Sequence, residues 1–338
     1  MLILGLESSC DETSAAVVEM DEKSGVRKIL SDIVVSQVDI HKLYGGVVPE
    51  IASRAHVEAV SGITYEALKQ AGAGTKDVGA VAVTACPGLI GALLVGVNFA
   101  KSLAFSHHIP LVPVNHICGH VAAAYLCDPE LKPPHLALVV SGGHTALYDV
   151  KDFTVYETIG TTRDDAAGEA FDKIARVMGM PYPGGAALDK MADGGDPHAF
   201  ALPSPALGGD GFDFSFSGIK TAALNLINGA QMRGEQLNQN NLAASYVHTI
   251  VTGIAKKTAA ALDKTGYGQM VLAGGVAANA HLRAEIAKVC QVRGVKLTVP
   301  PLNLCGDNAA MIAAAGYYAY EAGARGDTFL NASAADTF

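Results

Sequence analysis

Two stretches of the chain carry the same pattern. Residues 2–20 (LILGLESSCDETSAAVVEM) and 136–150 (LALVVSGGHTALYDV) each run from an apolar strand-like segment through a short polar turn into a second β-rich segment. Each reads as a hairpin with a hydrogen-bonding turn, and the second lies about a domain length after the first. The segments downstream of each hairpin also alternate. Behind the first come a strand-like run at 29–38, a helical pattern over 52–71, a strand at 79–84 and helices over 89–107 and 117–127. Behind the second come helices over 165–179 and 241–264, a strand at 269–273, a helix over 276–291 and a strand at 295–299. Alternation of this kind predicts an α/β chain of two similar lobes, each a sheet covered by helices. The Pro-containing stretch 128–134 divides them, giving a first lobe of 1–130 and a second of 131–305. Residues 181–240, richer in Gly, Pro and Asn, fit the repeat poorly and are expected to be a helical or irregular insertion on the second lobe. The last helical pattern, 306–322, has no strand after it, so the segment 306–338 is expected to return to the first lobe.

The 338 residues suffice for two domains at about 150 each. Half are hydrophobic and only 17% are charged, which excludes disorder. With 24 basic against 33 acidic residues the formal charge is −9, so nothing draws the whole surface to nucleic acid or anionic lipid. A polyanionic partner must be met by a local basic patch or by a helper protein. Six cysteines are scattered without a CxxC pair, and Met1 leads directly into a strand-like run, so a reduced, cytoplasmic protein is expected. Residues 79–100 hold no charge and are long enough to span a bilayer, but Pro87-Gly88 interrupts them. A buried strand–turn–helix explains them better, and no membrane partner is expected.

Several motifs carry chemistry. NHICGH (115–120) sets His116 and His120 four residues apart, one helical face, which suits two ligands of one metal ion and equally suits two surface histidines. Ile117 stands where a zinc protease of the HExxH type has its water-activating Glu. Asp307, in CGDNAAMIA, is the candidate third ligand, or else a helix-capping acid. VVSGGHT (139–145) is a strand entering a glycine turn, where Val139, Val140, Ser141, Gly142 and Gly143 can bring backbone N–H groups to a phosphate. AGGVAAN (273–279) repeats the idea with Asn279 expected one turn into a helix. Asp165, Glu169 and Asp172 are expected on one helical stripe that could take ribose hydroxyls, with Gly185 and Asp189 of YPGGAALDK near a ligand. ESSCDET (7–13) crowds Glu7, Ser8, Ser9, Asp11, Glu12 and Thr13 into one hairpin turn, more polar groups than a turn needs.

Together these segments resemble one family, the tRNA threonylcarbamoyladenosine transferases, once taken for O-sialoglycoprotein endopeptidases. The matching stretches are GLESSCDET, GGVVPEIASRAH, PGLIGALLVG, NHICGH, VSGGHT, DDAAGEAFDKIAR, YPGG, DFSFSGIKT, AGGVAANAHLR and DNAAMIA, in family order over nearly the whole chain. Cys86 departs from the family's usual Gly, a change expected to alter packing and leave the chemistry alone. The resemblance implies the actin-like ATPase fold of sugar kinases and Hsp70, with two duplicated ribonuclease H-like lobes and a nucleotide cleft. It implies transfer of threonylcarbamoyl from threonylcarbamoyl-AMP to N6 of the adenosine just 3′ of the anticodon, in tRNAs reading codons that begin with A. It implies one Fe(2+) or Zn(2+) on His116, His120 and Asp307. The adenylate would lie on the 139–143 turn, Asp172, Gly185, Asp189 and Asn279. In that reading Asp11 and Glu12 are the catalytic carboxylates, and an inactive paralogue and a small ATPase are protein partners. Other readings are a metalloprotease, which lacks its general base here, and a kinase or Hsp70-like ATPase using the same cleft. A non-catalytic scaffold would be expected to lose the His pair, which this chain keeps.

Overall fold

In the computed structural model of the chain, the described residues are 1–209 and 211–335. They form two compact units. The first comprises Met1–Pro133, Val150–Tyr156 and the chain from Pro300 onward; the second comprises Pro134–Asp149 and Glu157–Val299.

The first unit opens with β1 (Leu2–Glu7), β2 (Glu12–Asp21) and β3 (Val26–Ser36), then α1 (Val38–His41), α2 (Pro49–Gln70), β4 (Val78–Cys86), α3 (Ile90–His107), β5 (Leu111–Asn115) and α4 (His116–Cys127). Its sheet has the order β3-β2-β1-β4-β5. β1 to β3 are antiparallel, while β4 and β5 run parallel to β1. β1, β2 and β4 are near-continuous apolar runs because helices cover both of their faces. Pro49 starts α2 at its first turn, where a missing N–H costs nothing. The uncharged run at 79–100 divides into β4 and α3, and Ala92, Leu93, Val97, Ala100 and Ala104 of α3 are buried. α3 is the one described helix long and apolar enough to cross a bilayer.

The second unit has β6 (His135–Val140), β7 (Thr145–Asp152), β8 (Val155–Thr161), α5 (Ala167–Val177), α6 (Gly185–Ala192), α7 (Ser217–Arg233), α8 (Gln239–Thr265), β9 (Gln269–Ala273), α9 (Ala280–Arg293) and β10 (Lys296–Thr298). The tip of its β7–β8 hairpin falls in the first unit's share of the chain. Its sheet order, β10-β9-β6-β7-β8, is the first sheet's order with β6 to β10 standing for β1 to β5. The duplication therefore extends from the hairpins to the whole strand topology. The final helix, α10 (Ala309–Glu321), stands to β10 as α4 stands to β5, and it lies in the first unit beside α4.

Glycines set that placement. A Cβ on Gly5 would collide with the Ala309 carbonyl, and one on Gly316 would collide with Ala82, so α10 lies directly on β1 and β4. A Cβ on Gly119 would meet the tip of the Ile312 side chain, so α4 also packs on α10.

Several elements differ from the sequence expectation. β5 went unread because Pro113 interrupts it; as an edge strand it tolerates the lost donor. β8 went unread because it is mostly exposed and shows no apolar alternation. α5 begins at Ala167, so Asp165 precedes the helix and shares no helical stripe with Glu169 and Asp172. The 276–291 helix is a 3-10 turn, Gly275–Ala278, followed by α9; Asn279 caps α9 and does not lie one turn inside it.

Candidate active site

The first cluster is built on the starts of two equivalent helices. The Asn115 side chain accepts from the Ile117 N–H at 2.8 Å, capping α4 so that His116 is its first residue and His120 lies one turn on. The two rings stand edge to face, centroids 4.6 Å apart. Asn308 caps α10 through the Met311 N–H at 2.9 Å, and Asp307 is the residue before it. Asp307 Oδ1 lies 3.4 Å from His116 Nε2 and 3.3 Å from His120 Nε2. One ligand atom from each of the three residues falls within 4.8 Å of the others.

Glu7, the last residue of β1, orients this cluster. Its Oε2 is 3.0 Å from His116 Nδ1 and accepts the Thr84 hydroxyl at 2.6 Å, while its Oε1 accepts the Ser9 N–H at 2.5 Å. His116 thus donates from Nδ1 and turns Nε2 toward Asp307. His120 is 1% exposed, and both its ring nitrogens lack a hydrogen-bond partner among the described residues. An orphaned buried nitrogen costs about 1–3 kcal/mol, a cost that a ligand on the ring would remove. Two imidazole nitrogens and one carboxylate oxygen are the donor set of catalytic zinc and of non-haem Fe(II). The residues fit such an ion.

The charges of the cluster are coupled to one another. Burial disfavours charge on His116, but Asp307 and Glu7 more than reverse it and hold the imidazole well above its usual value. Burial also opposes charge on Asp307, and His116 with His120 holds it far below the carboxylate range. His120 is pushed down by burial and by the neighbouring His116 charge, which leaves it neutral and able to ligate.

Asp11 and Glu12 come next, in the adjoining turn. Burial, together with the charges of Asp307 and Asp11, pushes Glu12 up to about 9, and Ser36 donates to it at 3.1 Å. Burial and Asp11 likewise push the Cys10 thiol up, so it is no thiolate nucleophile. α3 buttresses this turn. Ser8 donates to the Ala92 carbonyl at 3.0 Å, and the Leu89 N–H donates to the Ser9 carbonyl at 2.8 Å. Side chains at Gly88, Gly91 and Gly96 would strike Ser9, Ser53 and Ser8, which accounts for the glycines of PGLIGALLVG.

The second unit gathers the other expected residues around the ends of β6 and β9. Val139 and Val140 are wholly buried in β6, and Ser141 closes the turn by accepting the His144 N–H at 3.0 Å. Gly142 and Gly143 are exposed, with no atom within 4 Å of a Cβ built on either, so the turn has room for an approaching group. Gly274 (φ +92°) lies against the Val140 backbone, which holds the second glycine turn beside the first. Asp172 Oδ1 accepts the N–H groups of Gly184 and Gly185 at 2.8 and 2.9 Å. Asp189 accepts the Ala280 N–H at 2.9 Å and pairs with His281 Nδ1 at 2.6 Å. The Asn279 side-chain oxygen is taken by the Leu282 N–H at 2.7 Å. Both aspartates therefore spend oxygens on the backbone that frames the cluster.

Sequence reasoning missed the orienting role of Glu7, whose only signal was a carboxylate ending an apolar strand. It also missed the joining of two motifs. Asp164 accepts the Phe216 and Ser217 N–H groups at 2.7 and 3.2 Å, and Asp165 pairs with Lys173 at 3.0 Å and with Lys220. DDAAGEAFDK thus anchors DFSFSGIKT.

A family model described as tRNA N6-adenosine threonylcarbamoyltransferase matches residues 28–314. The enzyme of that name from Clostridioides difficile (strain 630) is 48% identical over 332 residues, 98% of this chain and 97% of that protein. Its counterpart from Geobacillus kaustophilus is 52% identical over 98% of this chain and 95% of the relative. Among solved structures, full-length HypF in its phosphate- and nucleotide-bound form matches with a TM-score of 0.62 at 14% identity, over 95% of this chain and 46% of HypF. Component A of the (R)-2-hydroxyglutaryl-CoA dehydratase of Acidaminococcus fermentans matches at 0.54 and 15% identity, over 95% and 98%. These likenesses carry the fold, which is the actin-like ATPase fold.

Proposed function

Because the chain belongs to the tRNA N6-adenosine threonylcarbamoyltransferase family, and is a transferase acting on tRNA, we propose that its donor is threonylcarbamoyl-AMP and its acceptor the adenosine just 3′ of the anticodon, position 37, in tRNAs reading codons that begin with A. The observation that carries the metal part of this reading is the buried His116–His120–Asp307 cluster with its orphaned His120 nitrogens.

The donor is a mixed carbamic–phosphoric anhydride, so AMP is already a good leaving group. The N6 amine is a weak nucleophile because its lone pair is delocalised into adenine. Catalysis then rests on orientation and on stabilising charge at the carbamoyl and phosphate oxygens. His116 Nε2, His120 Nε2 and Asp307 Oδ1 would hold one Fe(2+) or Zn(2+), which when bound supplies Lewis-acid charge to those oxygens. Glu7 keeps His116 in the ligating tautomer. The new bond joins N6 to the carbamoyl carbon, the carbon–oxygen bond to phosphate breaks, and AMP leaves with the electron pair. Asp11 accepts the N6 proton, and Glu12 stands beside it with its carboxyl pushed up by burial and by the charges of Asp307 and Asp11.

In the second unit, the exposed Gly142 and Gly143 of the 139–143 turn face the adenylate phosphate. Asp172 and Asp189 serve it by fixing Gly185 and the start of α9, and Asn279 holds that helix end in place. A chain of charge −9 gains its hold on tRNA with help from an inactive paralogue and a small ATPase, in the cytoplasm. The test combines the protein, those partners, ATP, threonylcarbamoyl-AMP and unmodified tRNA, with nucleosides read by mass spectrometry. A threonylcarbamoyladenosine peak that disappears with His120→Ala, along with the bound metal, supports the reading. Full activity in metal-free His120→Ala protein overturns the metal's part, and no product beside a competent reference transferase overturns the reaction.

A further inference from the structure

A buried chain of hydrogen bonds surrounds the turn that carries Asp11 and Glu12, and no step of the transfer itself uses it. Its members, Thr13, Gln37, His41 and His56, are each at most 2% exposed. The geometry fixes which nitrogen of each ring carries its proton. The Cys10 carbonyl can only accept, so His56 donates to it from Nε2 at 3.0 Å. Nδ1 of the neutral ring then accepts the Thr13 hydroxyl at 2.7 Å. His41 Nδ1 accepts the Val48 N–H at 3.3 Å, so its Nε2 donates to Gln37 Oε1 at 3.1 Å. That leaves the Gln37 amide nitrogen pointing at the His56 ring, 3.4 Å from Nε2 and 3.5 Å from Nδ1. The Gln37 backbone N–H donates to the Asp11 carbonyl at 2.9 Å. Cys10, Asp11 and Thr13 are thus all held from the β3–α1 junction and α2. Burial pushes the His56 imidazole down, which keeps it in the neutral form this pattern requires.

We propose that His56 is a positioning residue for the transfer reaction, gripping the backbone on one side of Asp11 and Glu12 and the Thr13 hydroxyl on the other so that both carboxylates keep their place beside the metal cluster. The inference rests on the reading of Asp11 and Glu12 as the reacting carboxylates. A histidine that merely stabilised the fold would lower the melting temperature and leave the kinetics of folded protein alone. One that acts through the carboxylates lowers kcat in folded protein and loses its effect once a carboxylate is gone.

The experiment uses the full chain in the reconstituted assay, with His56→Gln, His56→Asn, Thr13→Val, Asp11→Asn and Glu12→Gln. Gln retains a donor near the Nε2 position, and Asn retains an acceptor near Nδ1. In His56→Asn, kcat is expected to fall about 10- to 100-fold with KM for tRNA and metal content unchanged, and His56→Gln is expected to recover part of the loss. In an Asp11→Asn background, His56→Asn is expected to add less than about twofold. Thr13→Val, which leaves the ring intact, is expected to lower kcat in the same way and serves if the His56 variants do not fold. Wild-type kcat in folded His56→Asn and Thr13→Val overturns the inference. So does a His56→Asn loss that multiplies in full onto that of Asp11→Asn. If Asp11→Asn and Glu12→Gln both keep wild-type kcat, the carboxylate reading itself falls, and the inference with it.

Discussion

Glu7 Oε2 lies 3.0 Å from His116 Nδ1, at the far side of the ring from Asp307. A strand end thereby fixes the tautomer of a helix-borne histidine. Partners of this kind typically change metal affinity about 10- to 100-fold when altered. Glu7→Gln keeps the shape and removes the charge, so metal affinity is expected to fall by that factor with the fold retained. A chelator-competition titration reads it; unchanged affinity would show that Glu7 plays no part in orienting the ring.

Two glycine substitutions separate packing from ligand access. Gly5→Ala drives a methyl into the Ala309 carbonyl, with β1 and the α10 backbone both unable to yield, and is expected to cost about 1–3 kcal/mol. Because α10 begins just after Asp307, metal content should fall along with the melting temperature. Gly142→Ala enters open space and should leave stability within about 0.5 kcal/mol. Its effect should appear in donor binding, read as a raised KM for the adenylate.

The core strands and the His pair were legible because their signals are local. β1, β4 and β9 are short apolar runs bounded by turns, and His116 and His120 share one helical face through their spacing alone. Asp307 is different. Its place depends on Gly5, Gly119 and Gly316 letting α10 settle between β1, β4 and α4, and no window of sequence contains that contact. Asp165 misled for the opposite reason. A helical pattern can be extended backward on paper, but Asp165 is drawn off by Lys173 and Lys220 before the helix begins. Asp172 and Asp189 also each give one oxygen to backbone N–H groups, a demand visible only when the turns are in place.

His135, wholly buried at the start of β6, should give the second unit an acid-sensitive step. Burial pushes its imidazole from 6.5 down to about 4, against a weaker pull from the Leu136 carbonyl and Asp149. Between those values the unfolded chain binds a proton that the folded chain does not. The stability contribution is therefore complete above pH 6.5 and is lost as pH falls toward 4. The full loss is about 3 kcal/mol. Denaturant midpoints of wild type and His135→Phe at several pH values between 7 and 4 should diverge, the variant showing the shallower decline. Parallel curves would mean that His135 does not control it.

Asp164 caps a helix it does not belong to. α7 has no side-chain cap from its own N-cap residue, Phe216, and Asp164 Oδ1 takes the Phe216 and Ser217 N–H groups instead. Ser215 donates its hydroxyl to the other oxygen. Losing a cap of this kind costs about 0.5–2 kcal/mol. In Asp164→Ala the start of α7 should fray locally, so amide exchange at Phe216 and Ser217 should quicken about 2- to 30-fold, while exchange in the middle of α7 stays as in wild type. The Asp165 pairs with Lys173 and Lys220 survive the substitution and still tether the two segments, which is why the effect should stop within the first turn. Exchange that is unchanged at both amides would assign the capping to something other than Asp164. Exchange that rises along all of α7 would mean that Asp164 holds the whole helix and not its first turn.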